Sequence, residues 1–130
     1  MALTKTDTVL VASSAGNLGV SPAVLRGTID LSAVYGGIVT LKITNGGTGP
    51  GVQAEGRVLI SHADTLPAAA SAGADWKTIW RFGGGTVASA VTEQSFQFGP
   101  EVRHLEVEFT GNTVQAVTVE AIVTRPCGCV

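Results

Sequence analysis

The chain has 130 residues, of which 14% are charged and 45% hydrophobic, and its formal net charge is −2. One domain of this size buries roughly two-thirds of its unfolded surface, so a core forms without disulfides or metals. The scattered Lys and Arg exclude the basic footprint of a nucleic-acid binder and a basic membrane-facing helix, and no apolar run nears the roughly 20 residues of a membrane span.

So little charge, in a chain rich in Val, Ala, Gly and Thr, leads us to expect apolar surface that is covered in an assembly. The start, MALTKTDTVLVASS, lacks the apolar core of a secretory signal. The expectation is a protein that stays in the cytoplasm or is assembled there into something larger.

In chain order, Met1 to Thr6 reads as a free arm, followed by a short strand over Thr8 to Ala12. Period-two alternation then recurs at Leu25 to Ala33, Val39 to Ile43, Val58 to Ser61, Trp76 to Phe82, Phe96 to Phe98, His104 to Phe109 and Val117 to Thr124. Alternation over four to eight residues marks strands with one wet face. About eight of them in 130 residues predict a single all-β domain of antiparallel sheets, a sandwich or a barrel. Leu66 to Ala74 is the best helical candidate, limited to one or two turns by Pro67 and Gly73. Gly36-Gly37 reads as a tight turn between strands, and Gly111-Asn112 as the turn of a closing hairpin. Asn45 to Gly51 reads as a mobile, glycine-rich connection, and Ser61 to Asp75 and Gly83 to Thr92 as long loops. Arg125 to Val130 reads as a second free arm.

Residues capable of chemistry are few. His104, Glu106 and Glu108 alternate on one strand, which reads as a solvated face. Their spacing of about 6.6 Å is wide for a single ion. As a carboxylate pair for glycoside hydrolysis, Glu106 and Glu108 lack a sugar-lined cleft around them. His62 and Asp64 lack further ligands. No serine sits in a Gly-x-Ser-x-Gly elbow, and Gly83-Gly84-Gly85-Thr86 lacks the Lys-Ser/Thr of a phosphate loop. No catalytic residue, cofactor or metal is therefore expected. Cys127 and Cys129 form a Cys-x-Cys end. It reads as a reduced tail, or as half of an inter-subunit thiol site, since one chain supplies only two of the four thiolates of a structural metal. Trp76, Trp80 and Phe82, placed on one strand face by simple alternation, read as core for Trp80 and Phe82 and as rim for Trp76. The alternative is a sugar-stacking platform of Trp76 and Trp80.

The order of these motifs resembles a family. Tyr35-Gly36-Gly37, the strand after it, the turn TNGGTGPG (Thr44 to Gly51), the Asp75-Trp76-Lys77 strand start and the closing strands from Val102 to Ala121 are similar to small structural proteins of tailed bacteriophages. The resemblance spans most of Asp30 to Ala121. It implies a β-sandwich or jelly roll that is not an enzyme: a capsid decoration or cement protein, or a minor head or tail protein, in the virion. The implied partner is the major capsid protein or another virion protein, and the implied state a homo-oligomer, with a trimer favoured. The chain departs from the simplest pattern in Ala68 to Ala74 and in Cys127-Gly-Cys129. The expected partner contacts are Asn45, Gly46, Gly47, Thr48, Gly49, Pro50, Trp76, Cys127 and Cys129, with a carbohydrate-binding module or tail receptor-binding component as the alternative function.

Overall fold

The structure, a computed structural model, describes residues 4–70 and 76–126. Cys127, Cys129 and the second half of the Ala-rich segment lie outside the described residues. Eight strands follow one another: β1 (Lys5–Val11), β2 (Val24–Asp30), β3 (Gly37–Asn45), β4 (Glu55–Ser61), β5 (Lys77–Gly83), β6 (Val91–Phe98), β7 (His104–Thr110) and β8 (Val117–Pro126). They form two antiparallel sheets, β1-β8-β3-β6 and β2-β7-β4-β5. Every connection except β4–β5 passes from one sheet to the other, and this strand order is that of an eight-stranded jelly roll.

The core lies between the sheets. From one side it takes Val39, Leu41 and Ile43 of β3 with Val117, Val119, Ala121 and Val123 of β8, and from the other Val58 of β4 with Leu105, Val107 and Phe109 of β7. These are the alternate positions of each strand, so one hydrophobic period yields one continuous layer. Gly27 sits where β1 crosses β2, and a Cβ there would run into the Leu10 backbone carbonyl. Asp30 ends β2 by accepting a bond from the Ser32 amide at 2.9 Å. Leu31 then drops into the core.

Five expectations are corrected. First, β7 and β8 are not a closing hairpin. They belong to different sheets, and Gly111-Asn112 opens a crossing in which Asn112 is fully buried. Second, Lys5 and Thr6 pair with Pro126 and Arg125, so the ladder absorbs four residues expected in the arms. Third, Leu66 to Ala70 forms no helix. Fourth, β7 is buried on both faces: His104 and Glu106 are as inaccessible as the core residues between them. The central position of β7 and the loop after β4 cover them. Fifth, Trp76 and Trp80 do not share a face. Trp80 pairs with Val58 while Thr78 pairs with Leu59, so Ile79 is an extra residue in β5. Such a bulge reverses the side-chain alternation beyond it. Trp80 and Phe82 face inward, whereas Thr78 falls on the outer face.

Candidate docking surface and polar sheet face

Antiparallel strands sort the loops to two ends of the sandwich. The loops 12–23, 46–54, 84–90 and 111–116 lie at one end; 31–36, 62–70, Trp76, 99–103, the start of β1 and the end of β8 lie at the other. A seven-residue strand separates the ends by roughly 20–25 Å. The expected contact residues are therefore split. Asn45 to Pro50 sit at the first end, while Trp76 and the start of the segment that leads to Cys127 sit at the second.

The first end has an unusual composition. Its four loops contain no Lys, Arg, Asp, Glu or His. Asparagines cross-brace them, Asn45 and Asn112 buried and Asn17 half-buried. Asn45 donates from Nδ2 to the carbonyls of Gly84, Gly85 and Val87 at 3.3, 3.2 and 2.9 Å. Asn112 donates to those of Leu18, Gly19 and Gln115 at 3.5, 3.2 and 2.9 Å. Asn17 donates to the Val119 carbonyl and accepts from the Val119 amide. Gly49 packs so closely on the neighbouring loop that a Cβ would strike the Thr86 carbonyl. The expected mobile contact loop is thus a fixed one. Asn45 and Pro50 are buried, and among its residues Gly46, Gly47 and Thr48 face solvent.

Side chains that sequence reasoning did not single out surround these: Val20, Val52, Val87 and Val114 are between 42% and 70% exposed. Val114 has φ 72° and lies between Thr113 and Gln115, whose amide donates to the Thr113 carbonyl at 2.8 Å. This is a γ-turn of the positive-φ kind, rare for any residue and strained for a β-branched one. Val52 is tied to it through its amide, which donates to Thr113 Oγ1 at 2.9 Å. A signal was present in the sequence, since the absence of charge from four separate loops is readable there. That the four share one end is not.

The outer face of β2-β7-β4-β5 carries an ionic ladder. Arg26 Nε lies 3.0 Å from Glu108 Oε2 and 3.5 Å from Glu106 Oε1. Arg57 reaches Glu108 and Glu55, at 3.6 and 3.3 Å, and Arg81 reaches Glu55 at 3.7 Å. These three cations and three carboxylates balance. Glu106 also accepts the Ala70 amide at 3.1 Å, and His104 Nε2 meets the Ala63 carbonyl at 2.9 Å, so both hold the loop after β4 over the sheet. Burial raises the Glu106 pKa, opposed by the Ala70 amide and Arg26. The hydroxyl and then the amide of Ser32 lower that of Asp30, whose carboxylate lies 3.4 Å from His104 Nδ1. His62 is exposed, and Asp64 pairs with Arg103 at 2.9 Å. Trp76 is half-buried, its indole N–H directed at the Ala68 carbonyl at 3.4 Å. Trp80 stacks between Phe82 and Phe96, at 5.3 and 5.7 Å. It fills the open edge of the sandwich, in the core role expected of it.

No protein-family model matches the chain, and no curated protein does. Among solved structures, a cleaved adhesin domain of Lys-gingipain from Porphyromonas gingivalis is similar at 12% identity and TM-score 0.52, over 87% of this chain and 72% of that one. A family 29 carbohydrate-binding module from Piromyces equi is similar at 13% identity and TM-score 0.48, over 94% and 91%. The enzymatically active domain of tailspike protein 4 of bacteriophage CBA120 is similar at 9% identity and TM-score 0.44, over 96% of this chain and 19% of that one. At such identities the likeness to the adhesin domain is one of fold: an all-β sandwich of two antiparallel sheets.

Proposed function

We propose that this protein is a non-enzymatic structural module that decorates a phage capsid, seated on the major capsid protein lattice through its charge-free loop end. One observation carries the reading. Four loops, distant in sequence and empty of charge, converge at one end and hold exposed valines on a rigid, cross-braced base. Interface cores are depleted in charge, and a surface without charges loses little hydration on docking. Bracing the loops beforehand lowers the ordering cost of association. The resemblance of the strand and turn motifs to phage structural proteins supports the same reading, as does the jelly-roll strand order, by analogy of fold alone. A homo-oligomer, with a trimer favoured, and residence in the virion belong to this proposal.

The test is co-sedimentation of the purified chain with particles of the major capsid protein encoded in the same genome. Binding should saturate at a fixed ratio to capsid subunits. Val87→Asp and Val114→Asp, both at exposed positions, should abolish it while the thermal unfolding curve keeps its shape. A wild-type chain that stays monomeric and in the supernatant at every concentration would sink the reading.

A further inference from the structure

Of the three asparagines in the chain, Asn45 alone precedes a glycine; Asn17 is followed by Leu18 and Asn112 by Thr113. That pairing has a chemistry of its own. The backbone nitrogen after an asparagine can close a five-membered ring on the side-chain carbonyl carbon, and glycine has no Cβ to obstruct the approach. The step balances within the chain. Gly46 N loses its proton and bonds to Asn45 Cγ, the Cγ–Nδ2 bond breaks, and ammonia leaves with that proton. Water then opens the ring at one carbonyl or the other. The products are aspartate, and isoaspartate with an extra methylene carbon in the main chain.

The fold holds the reacting atoms apart. Asn45 ends β3, its amide bonded to the Ala90 carbonyl at 2.9 Å and its backbone paired with Val117. Ring closure needs rotation about its Cα–C bond, away from the extended value that this pairing fixes. Nδ2, the leaving group, is tied to the carbonyls of Gly84, Gly85 and Val87. Oδ1, on which negative charge would build, is buried without a hydrogen-bond partner among the described residues, so no donor stabilises that charge. The product cannot restore the brace. A carboxylate has no hydrogen to donate, so three carbonyls would lose their donor and face a charge instead. The longer main chain of isoaspartate would also break the pairing at the end of β3. We propose that Asn45-Gly46 is a deamidation site gated by the fold: closed in the intact chain, open when the charge-free end comes apart, and then unable to brace loops 46–54 and 84–90 again. Water is the sole co-reactant. Every measurement below uses the free chain, so this assignment and the docking reading can fail separately.

The experiment is peptide-mapping mass spectrometry of the full chain incubated at mildly alkaline pH, folded in buffer and unfolded in guanidinium. In guanidinium Asn45 should become a mixture of aspartate and isoaspartate well ahead of Asn17 and Asn112. In buffer it should react at least about ten-fold more slowly, in proportion to the time this end spends open. A Cβ on the exposed Gly46 would meet no atom nearer than 3.8 Å. Gly46→Ala should therefore keep the parent's thermal unfolding and slow the reaction in guanidinium several-fold. Asn45→Asp, one of the two products, should unfold at a lower temperature. It should also lose hydrogen-exchange protection at the Ser89 amide, which donates to the Gly46 carbonyl in the intact end. Equal rates at Asn45 in buffer and in guanidinium overturn the proposal. So does an Asn45→Asp chain as stable as the parent, or an unfolded chain in which Asn17 or Asn112 reacts as fast as Asn45.

Discussion

Asn45 shows how a residue's role turns on its surroundings. In TNGGTGPG it looks like part of a loose turn, yet its side chain closes three backbone carbonyls of another connection, and Asn112 closes two of another connection and one of its own. Such bonds hold loops in a fixed shape because a buried carbonyl left without a donor costs about 1–3 kcal/mol. Val114 is the counterpart on the outside: exposed, strained, and in a conformation that glycine would take at no steric cost. Val114→Gly should therefore stabilise the fold by about 1 kcal/mol, strain relief outweighing the added freedom of the unfolded chain. The same change should weaken capsid binding if the valine is displayed for docking. Urea denaturation checks the first half, and a loss of stability would show that Val114 is held by packing instead.

At the scale of the element, β7 departs most from its sequence pattern. Its alternation is regular, but its polar positions are roofed by the loop after β4 through Glu106 and His104. The raised pKa of Glu106 has a definite sign. The folded state holds that proton more tightly than the unfolded chain, so this group's contribution to stability falls as pH rises from its ordinary value near 4.5 through its folded pKa. Asp30, with a lowered pKa, acts in the opposite sense: its contribution is present above its ordinary value near 3.8 and is lost as pH falls through the folded pKa. Glu106→Gln keeps an acceptor for the Ala70 amide and removes the titration. It should flatten the decline in stability between pH 4.5 and 7 and leave the variant at least as stable as the parent at pH 7. Denaturation at the two pH values tests this, and an unchanged pH slope would show that Glu106 is not its source.

At the scale of the whole molecule, the charges divide the surface. They occupy the outer sheet faces and the end where β1 begins and β8 finishes, while the four loops of the other end have none. If that end is the docking surface, association should be nearly independent of ionic strength, since there are no exposed pairs there to screen. Capsid binding measured at 50 mM and 500 mM salt should differ by less than about three-fold. A fall of ten-fold or more would move the contact to the charged faces or the terminal end.

The sequence alone determined the all-β class, the number of strands and the inward-facing residues of nearly all of them, because a period of two records which face of a strand meets the core. It also contained the fact on which the functional reading stands: loops without charge. Only the tertiary structure decided how these are grouped. The strand order 1-8-3-6 and 2-7-4-5 rests on pairings between residues far apart in the chain, which no local pattern records. That order gathers four uncharged loops at one end. A bulge at Ile79 reverses one strand's faces, and a loop laid over β7 turns a solvated carboxylate into a buried one. Each of these is settled by contacts made across the fold, where the energy of a residue depends on neighbours that its own segment does not specify.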